Sequence, residues 1–379
     1  MNARTARLRD FDPILLLAAL ALAALGTLLI HSSSLTQFGS PTGFDFTHPV
    51  VRQAVFASAG LILALAIARV DYKVLGILSA GLYIASIAAL VFVLMFGEES
   101  FGSRRWILVG GILVQPSEIA KLVTIVALAK YLSDQQEAIG NVRVLLISLA
   151  IAAVPAVLVF AEPDLGSAVI FGAIWLGMVT ITGARWRHLA GMLMIALILL
   201  PFSLIALVSD YQRERIDIWL NPESDPLGSG WNILQAEISI GSGGLFGKGL
   251  TEGTQTQLDY LRTQTTDFVF SVLGEELGFI GALVLFALFI VLLWRGLRVA
   301  EVSRDLFGRL LATGLVIFIL LQTFINVAVN LGLLPVTGIP LPFVSQGGSS
   351  LITLFIGIGI LQSIVLRHRR ATIRDFFDS

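Results

Sequence analysis

VLGILSAGLYIASIAALVFVLMF, residues 74–96, runs without a single charged side chain. A helix rises 1.5 Å per residue, and a hydrocarbon core about 30 Å thick needs about 20 mainly apolar residues. The run is therefore long enough to cross a bilayer, and it is apolar on every face of the helix it would form. Lipid, not water, is its solvent.

Similar apolar runs recur on both sides of it. They cover residues 11–30, 50–69, 117–132, 144–160, 165–182 and 186–208, and, after a long polar stretch, residues 268–294, 307–331 and 345–366. With residues 74–96 they make ten. The run at 117–132 is the shortest and carries charge. Composition agrees: 56% of residues are hydrophobic, only 13% are charged, and the mean hydropathy is +0.87, outside the range of a water-soluble chain. The pattern predicts an all-α, polytopic membrane protein with about ten transmembrane helices. It forms a single transmembrane domain over residues 1–379, with a large extracytoplasmic loop, residues 209–266, between helices 7 and 8.

Orientation follows from the basic residues, because Lys and Arg stay on the cytoplasmic side. One face collects 17 of the 25 Lys and Arg: Arg4, Arg7, Arg9, Arg69, Lys73, Lys130, Arg143, Arg185, Arg187, Arg295, Arg298, Arg304, Arg309, Arg367, Arg369, Arg370 and Arg374. That face is expected to be cytoplasmic, and an even number of spans puts both termini there. The first run lacks a small-residue cleavage site and reads as a retained span. With no cysteine, the chain has no disulfide, thiolate metal site or cysteine nucleophile. The four histidines, His31, His48, His188 and His368, have no metal-ligand spacing, so a divalent ion would need oxygen ligands.

Charge inside a bilayer is costly unless it meets a partner or a cavity, so its positions are the first functional signal. Glu118 and Lys121 lie three positions apart, on one face of the fourth span, just after Gln115-Pro116. A structural ion pair between helices is the plain alternative to a chemical role. Asp164, in Glu162-Pro-Asp164, suits a helix cap. Asp267 stands where the chain re-enters the membrane; it could cap a helix, or be a half-dehydrated base with a raised pKa. Arg104 and Arg105 are either surface charges or a pair suited to a diphosphate. The glycine-rich run 239–250 fails as a phosphate loop, since Ser242 and Gly249 stand where a glycine and a hydroxyl residue are required around Lys248; a flexible turn is the simpler reading. Asn326 and Asn330, at i and i+4 in the ninth span, read as glue between helices. The loop 209–266 holds Trp219 and Trp231, and residues 232–240 suit an amphipathic helix.

Taken in order, GSRRW (102–106), QPSEIAK (115–121), EPDLG (162–166), PLGSGWNILQ (226–235), GSGGLFGKG (241–249), GTQTQL (253–258), TDFVF (266–270), GEELG (274–278) and PLPFVSQGGSS (340–350) resemble the SEDS family of bacterial membrane proteins, its elongation branch more than its division branch. The resemblance spans nearly the whole chain. It implies a ten-span fold in the bacterial cytoplasmic membrane and a peptidoglycan glycosyltransferase that polymerises lipid II on the outer membrane face. The implied partners are lipid II, the growing glycan strand, membrane lipid and a class B penicillin-binding protein that crosslinks the strands; no nucleic acid and no organic cofactor are implied. The family's essential aspartate falls on Asp267, and its intramembrane acid and base fall on Glu118 and Lys121.

Two positions depart from the family pattern, Thr266 in place of a histidine and Gln346 in place of a tyrosine, and residues 260–265 lack the usual Leu-Pro-Glu. Neither departure removes an ionisable group used here. The expected reaction inverts the anomeric carbon, because an α-linked diphosphate becomes a β-1,4 link. Asp267 is the expected base. Arg104, Arg105 and Lys121, with Lys248 and a magnesium or manganese ion as further candidates, would bind the diphosphate, and Glu118 would hold Lys121. A lipid II transporter and a scaffold that recruits the crosslinking enzyme are the competing readings. Broken helices and a midplane site would favour transport; tolerance of a neutralised Asp267 would favour the scaffold.

Overall fold

The computed structural model describes residues 11–41, 43–100, 103–192, 194, 210–225, 228–261 and 263–378. Long apolar helices dominate it: α1 (Pro13–Phe38), α2 (Pro49–Arg69), α3 (Lys73–Phe96), α4 (Pro116–Asp134), α5 (Val142–Ala161) and α6 (Leu165–Ile181). After the loop helices α7 (Asp210–Leu220), α8 (Ser229–Gly243) and the short turn α9 (Thr254–Gln257) come α10 (Val269–Val302), α11 (Leu306–Asn330) and α12 (Gly348–Asp378).

Seven of these, α1, α2, α3, α5, α10, α11 and the part of α12 up to His368, are long and apolar enough to cross a membrane. The charged α4 and the 17-residue α6 bring the described spans to nine. A helical stretch starts at Trp186, but most of the seventh expected span, residues 195–208, lies outside the described residues. The ten-span expectation thus corresponds to nine described helices and this partly described one.

Helix starts follow local chemistry. Pro13, Pro49 and Pro116 occupy first-turn positions, where a missing N–H is harmless. Asp12, Asn141, Asp164 and Asp305 cap their helices; Asp164, for example, accepts the N–H of Ser167 at 3.0 Å. α11 and α12 lie at the centre, while α2 and α3 turn Ile62, Ile77, Ile84 and Phe96 outward. Outward apolar faces on such helices meet lipid. Close packing at the centre uses small residues: a Cβ on Gly359 would stand 2.7 Å from the carbonyl of Ala64, so α12 and α2 approach backbone to backbone.

Between α3 and α4 the expected connection is a small antiparallel sheet, β1 (Glu98–Ser100), β2 (Ser103–Val109) and β3 (Ile112–Val114), in the order β1-β2-β3. The long loop is tied down, with the indole N–H of Trp219 donating to Gly332 O at 2.8 Å and that of Trp231 to Tyr260 O at 3.0 Å.

α10 is broken. Gly278 has φ +64°, and a Cβ there would lie 2.2 Å from the amide nitrogen of Gly247. In a continuous helix, Phe279 and Ile280 would donate to Glu275 and Glu276. Instead they donate to Gly244 O and Leu245 O (2.9 and 3.1 Å), and the freed carbonyls of Glu275 and Glu276 take the N–H groups of Lys248 and Gly249, both at 3.0 Å. The glycine-rich run is therefore a plug that completes the broken helix, not a free turn. Beside it the Glu275 carboxylate accepts from Lys248 Nζ (2.8 Å), Gln255 N (2.8 Å), Thr256 N (3.0 Å), Thr256 Oγ1 (2.8 Å) and Thr254 Oγ1 (3.2 Å). A buried carboxylate with this many donors is fully compensated.

Candidate active site

The two ends of the bundle differ. At one, the guanidinium of Arg295, late in α10, binds the carboxylate of Asp12. At the other, where α10 begins, a cavity of about 320 Å³ opens. Its walls come from separate parts of the chain: Arg105, Trp106 and Leu113 from the sheet, Gln115 before α4, Arg215 from α7, Asn232 from α8, the turn 263–268, residues 336–340, and Gln346 to Ser350 at the start of α12.

Asp267 stands on this wall. The helix that follows is capped by Phe268 without a side-chain hydrogen bond, so the carboxylate is not used up as a cap. Burial pushes its pKa above the ordinary carboxylate value; the positive charges of Arg215 and Arg105 and a hydrogen bond with Thr266 oppose that shift, and Asp164 adds to it. Its backbone is fastened as well. Asp267 N donates to Thr263 O at 3.1 Å, Gln346 N donates to Thr265 O at 2.9 Å, and Ser345 Oγ donates to Thr266 O.

Backbone carbonyls brace both arginines. Arg105 is buried; its Nε donates to Glu162 O at 3.0 Å and its Nη2 to Pro163 O. Arg215 Nη1 donates to Val336 O at 2.7 Å. Two guanidinium groups thus flank one carboxylate in a cavity, an arrangement that accepts a diphosphate beside a base.

Of the residues singled out in the sequence, Asp267 and Arg105 come together here. The side chain of Arg104 lies outside the described residues, although its backbone pairs with Glu99 in the sheet. Glu118 and Lys121 do not line the cavity. They sit one turn further into α4 than Gln115, joined Oε1 to Nζ at 2.6 Å and fully enclosed; Gln322 Nε2 donates to the other oxygen of Glu118 at 3.3 Å, and the ammonium lies 5.3 Å from the Phe318 ring centroid. Lys248 is also outside the cavity, held by Glu275 and Thr254 in the α10 plug. Arg215 was not singled out in the sequence: it is one charge in the run DYQRERID (210–217), with nothing to separate it from its neighbours.

Glu162 is a second buried carboxyl here. It is 1% exposed, and neither side-chain oxygen has a hydrogen-bond partner. Burial, then the charge of Asp164, pushes its pKa up to about 8 against the opposing charge of Arg105. The folded protein therefore keeps a proton that the unfolded chain loses, and stability falls as pH rises from 4.5 towards 8. Glu162→Gln is expected to melt several degrees higher than the parent at pH 7.5, at about 2–4 °C per kcal/mol, and equally at pH 4. Melting curves of the purified protein at both pH values check this; a variant less stable at pH 7.5 would contradict it.

Comparison with known proteins agrees with this architecture. Residues 13–370 match the FtsW, RodA and SpoVE model, described as cell cycle protein. The chain is 39% identical over 353 residues to peptidoglycan glycosyltransferase MrdB of Escherichia coli K12, covering 93% of both chains. It is 38% identical over 358 residues to stage V sporulation protein E of Bacillus subtilis 168, covering 93% of this chain and 96% of that one. Among solved structures, one titled as structural coordination of polymerization and crosslinking by a peptidoglycan synthase complex has a TM-score of 0.79 at 32% identity, covering 95% and 98% of the two chains. The crystal structure of Thermus thermophilus rod shape determining protein RodA has a TM-score of 0.68 at 31% identity, covering 95% and 97%. With its succession of apolar spans and a family match over nearly its whole length, the chain is a multi-pass membrane protein and belongs to the SEDS family, that of FtsW, RodA and SpoVE.

Proposed function

We infer that this chain is a peptidoglycan glycosyltransferase that joins lipid II units into β-1,4 glycan strands at the outer face of the cytoplasmic membrane. The observation that carries the reading is one carboxylate, Asp267, between Arg105 and Arg215 in a cavity at one end of the bundle. The names of the relatives point the same way.

The reaction is a single displacement. The acceptor 4-hydroxyl oxygen bonds to the anomeric carbon of the donor, the bond from that carbon to the diphosphate oxygen breaks, and the leaving undecaprenyl diphosphate takes the electron pair. The hydroxyl proton goes to Asp267, whose raised pKa brings its basicity nearer to working pH. Arg105 and Arg215 meet the charge that develops on the diphosphate, and their carbonyl braces mean that little reorganisation is needed during the reaction. Trp106 offers apolar surface for a sugar ring. Attack from the face opposite the leaving group gives inversion.

Arginine is the source of positive charge in this mechanism. Among the described residues no group of three His, Asp or Glu side chains could hold a metal ion, and no step here depends on one. Glu118 and Lys121 act from beneath the site, fixing α4 against α11. The excess of Lys and Arg at the Arg295 end of the bundle supports a cytoplasmic position for that end and for both termini, with the cavity outside. A class B penicillin-binding protein is the proposed partner, in keeping with the neighbour described as a synthase complex. Transport is disfavoured because the backbone groups freed by the break in α10 are bonded by the chain's own glycine run rather than left to a substrate.

The test is a gel assay of glycan strands made from lipid II by the purified protein, with and without that partner. A ladder of polymer is expected. A folded, partner-bound protein that yields none would overturn the reading.

A further inference from the structure

Where α10 begins, the carbonyl of Asp267 and the N–H of Ser271 both lie outside the helix's own hydrogen-bond ladder, whose first bond runs from Val272 N to Phe268 O. A side chain bridges them. Asn330 Nδ2 donates to Asp267 O at 2.8 Å, while its Oδ1 accepts Ser271 N at 3.0 Å and Ser271 Oγ at 2.7 Å. One turn earlier on α11, Asn326 Nδ2 donates to the same carbonyl at 3.1 Å and to Ile339 O, in the cavity-lining segment 336–340, at 2.8 Å. Both asparagines are fully buried.

We propose that Asn330 and Asn326 are positioning residues that aim the Asp267 carboxylate into the cavity. Simple glue between helices needs only some partner on the neighbouring helix. These two carboxamides instead meet on a single carbonyl, that of the residue read as the base, and fill both of its lone pairs. Pinning that carbonyl fixes the peptide plane after Asp267, and with it the direction of the Cα–Cβ bond. The same pair ties Asp267 to Ile339, so the base and the wall that braces Arg215 move as one unit. The other bonds of this turn, from Asp267 N to Thr263 O, Gln346 N to Thr265 O and Ser345 Oγ to Thr266 O, hold the residues before that carbonyl, whereas the two asparagines hold the carbonyl itself.

The inference rests on Asp267 being the base, and the test separates the two. Full-length Asn330→Ala and Asn326→Ala are assayed on lipid II with the partner present, recording kcat, KM, the pH profile and the melting temperature. Asn330→Ala is expected to lower kcat about 10- to 100-fold, the scale of a 1 Å misplacement, with KM within about twofold. Asn326→Ala, which keeps the contacts to Ser271, is expected to lower it less. In both, the acid limb of kcat/KM moves, because the carboxylate shifts in the field of Arg105 and Arg215. A limb that coincides with the parent's, with rate lost only in proportion to folded protein, would show a packing role and overturn the proposal. If Asn330→Ala does not fold, Asn326→Ala decides by the same criterion. Activity in Asp267→Asn would remove the base itself; an inactive Asp267→Asn with unmoved limbs would remove only the positioning.

Discussion

Asp267→Asn is expected to reduce glycan synthesis from lipid II by about 10²–10⁴-fold, the usual worth of a positioned general base. That equals about 3–5 kcal/mol of barrier, at 1.36 kcal/mol per tenfold. The substitution keeps the shape of the side chain and removes its basicity, while the bonds that fasten the turn run through the backbone and are retained. Folding, partner binding and lipid II binding should therefore survive, and the loss should fall on kcat. In the parent protein, activity is expected to fall as pH drops through the raised pKa of Asp267, with the acid limb above the ordinary carboxylate range. Synthesis rates and lipid II affinity measured on the same preparations decide the matter. Output near the parent's would return Asp267 to a structural role and favour the scaffold reading.

Glu118→Ala acts through stability. It leaves the Lys121 ammonium enclosed in the bundle without its carboxylate, beside the Phe318 ring. Removing one partner of a buried pair costs about 3–5 kcal/mol, because the remaining charge is uncompensated. A sharp fall in melting temperature is expected, with activity falling alongside it as α4 loosens against α11. A control separates charge from packing: replacing both partners by apolar residues of similar volume, Glu118→Leu with Lys121→Met, should recover most of the stability, since paired replacement of a buried ion pair is often neutral. If the single variant melts with the parent, the pair carries no such weight. If the double variant is stable yet inactive, Lys121 does more than hold the helix.

The spans were legible because hydrocarbon imposes a length and an apolarity that any chain must meet locally. Residues 74–96 became α3, and 307–331 became α11 to within a residue at each end. Asp164 was legible as a cap for the same local reason: its side chain reaches only three residues. The plug was not legible. The run 241–249 looked like a loose turn because its partners, the carbonyls of Glu275 and Glu276, lie more than 25 positions away and would ordinarily be satisfied within their own helix. Lys248, a candidate for substrate, is held there by Glu275 for the same reason.

By itself the sequence determined that the chain lives in lipid, where its described spans fall, and that Asp267 stands just before one of them. Each of these depends on a residue and its near neighbours against a uniform solvent. Only the tertiary structure decided that Arg215 rather than Lys121 or Lys248 joins Arg105 beside that aspartate, and that two asparagines some 60 positions away hold its carbonyl. Those pairings are made across packed helices, and the energy that selects them, a buried polar group satisfied or left bare, exists only once the helices have met.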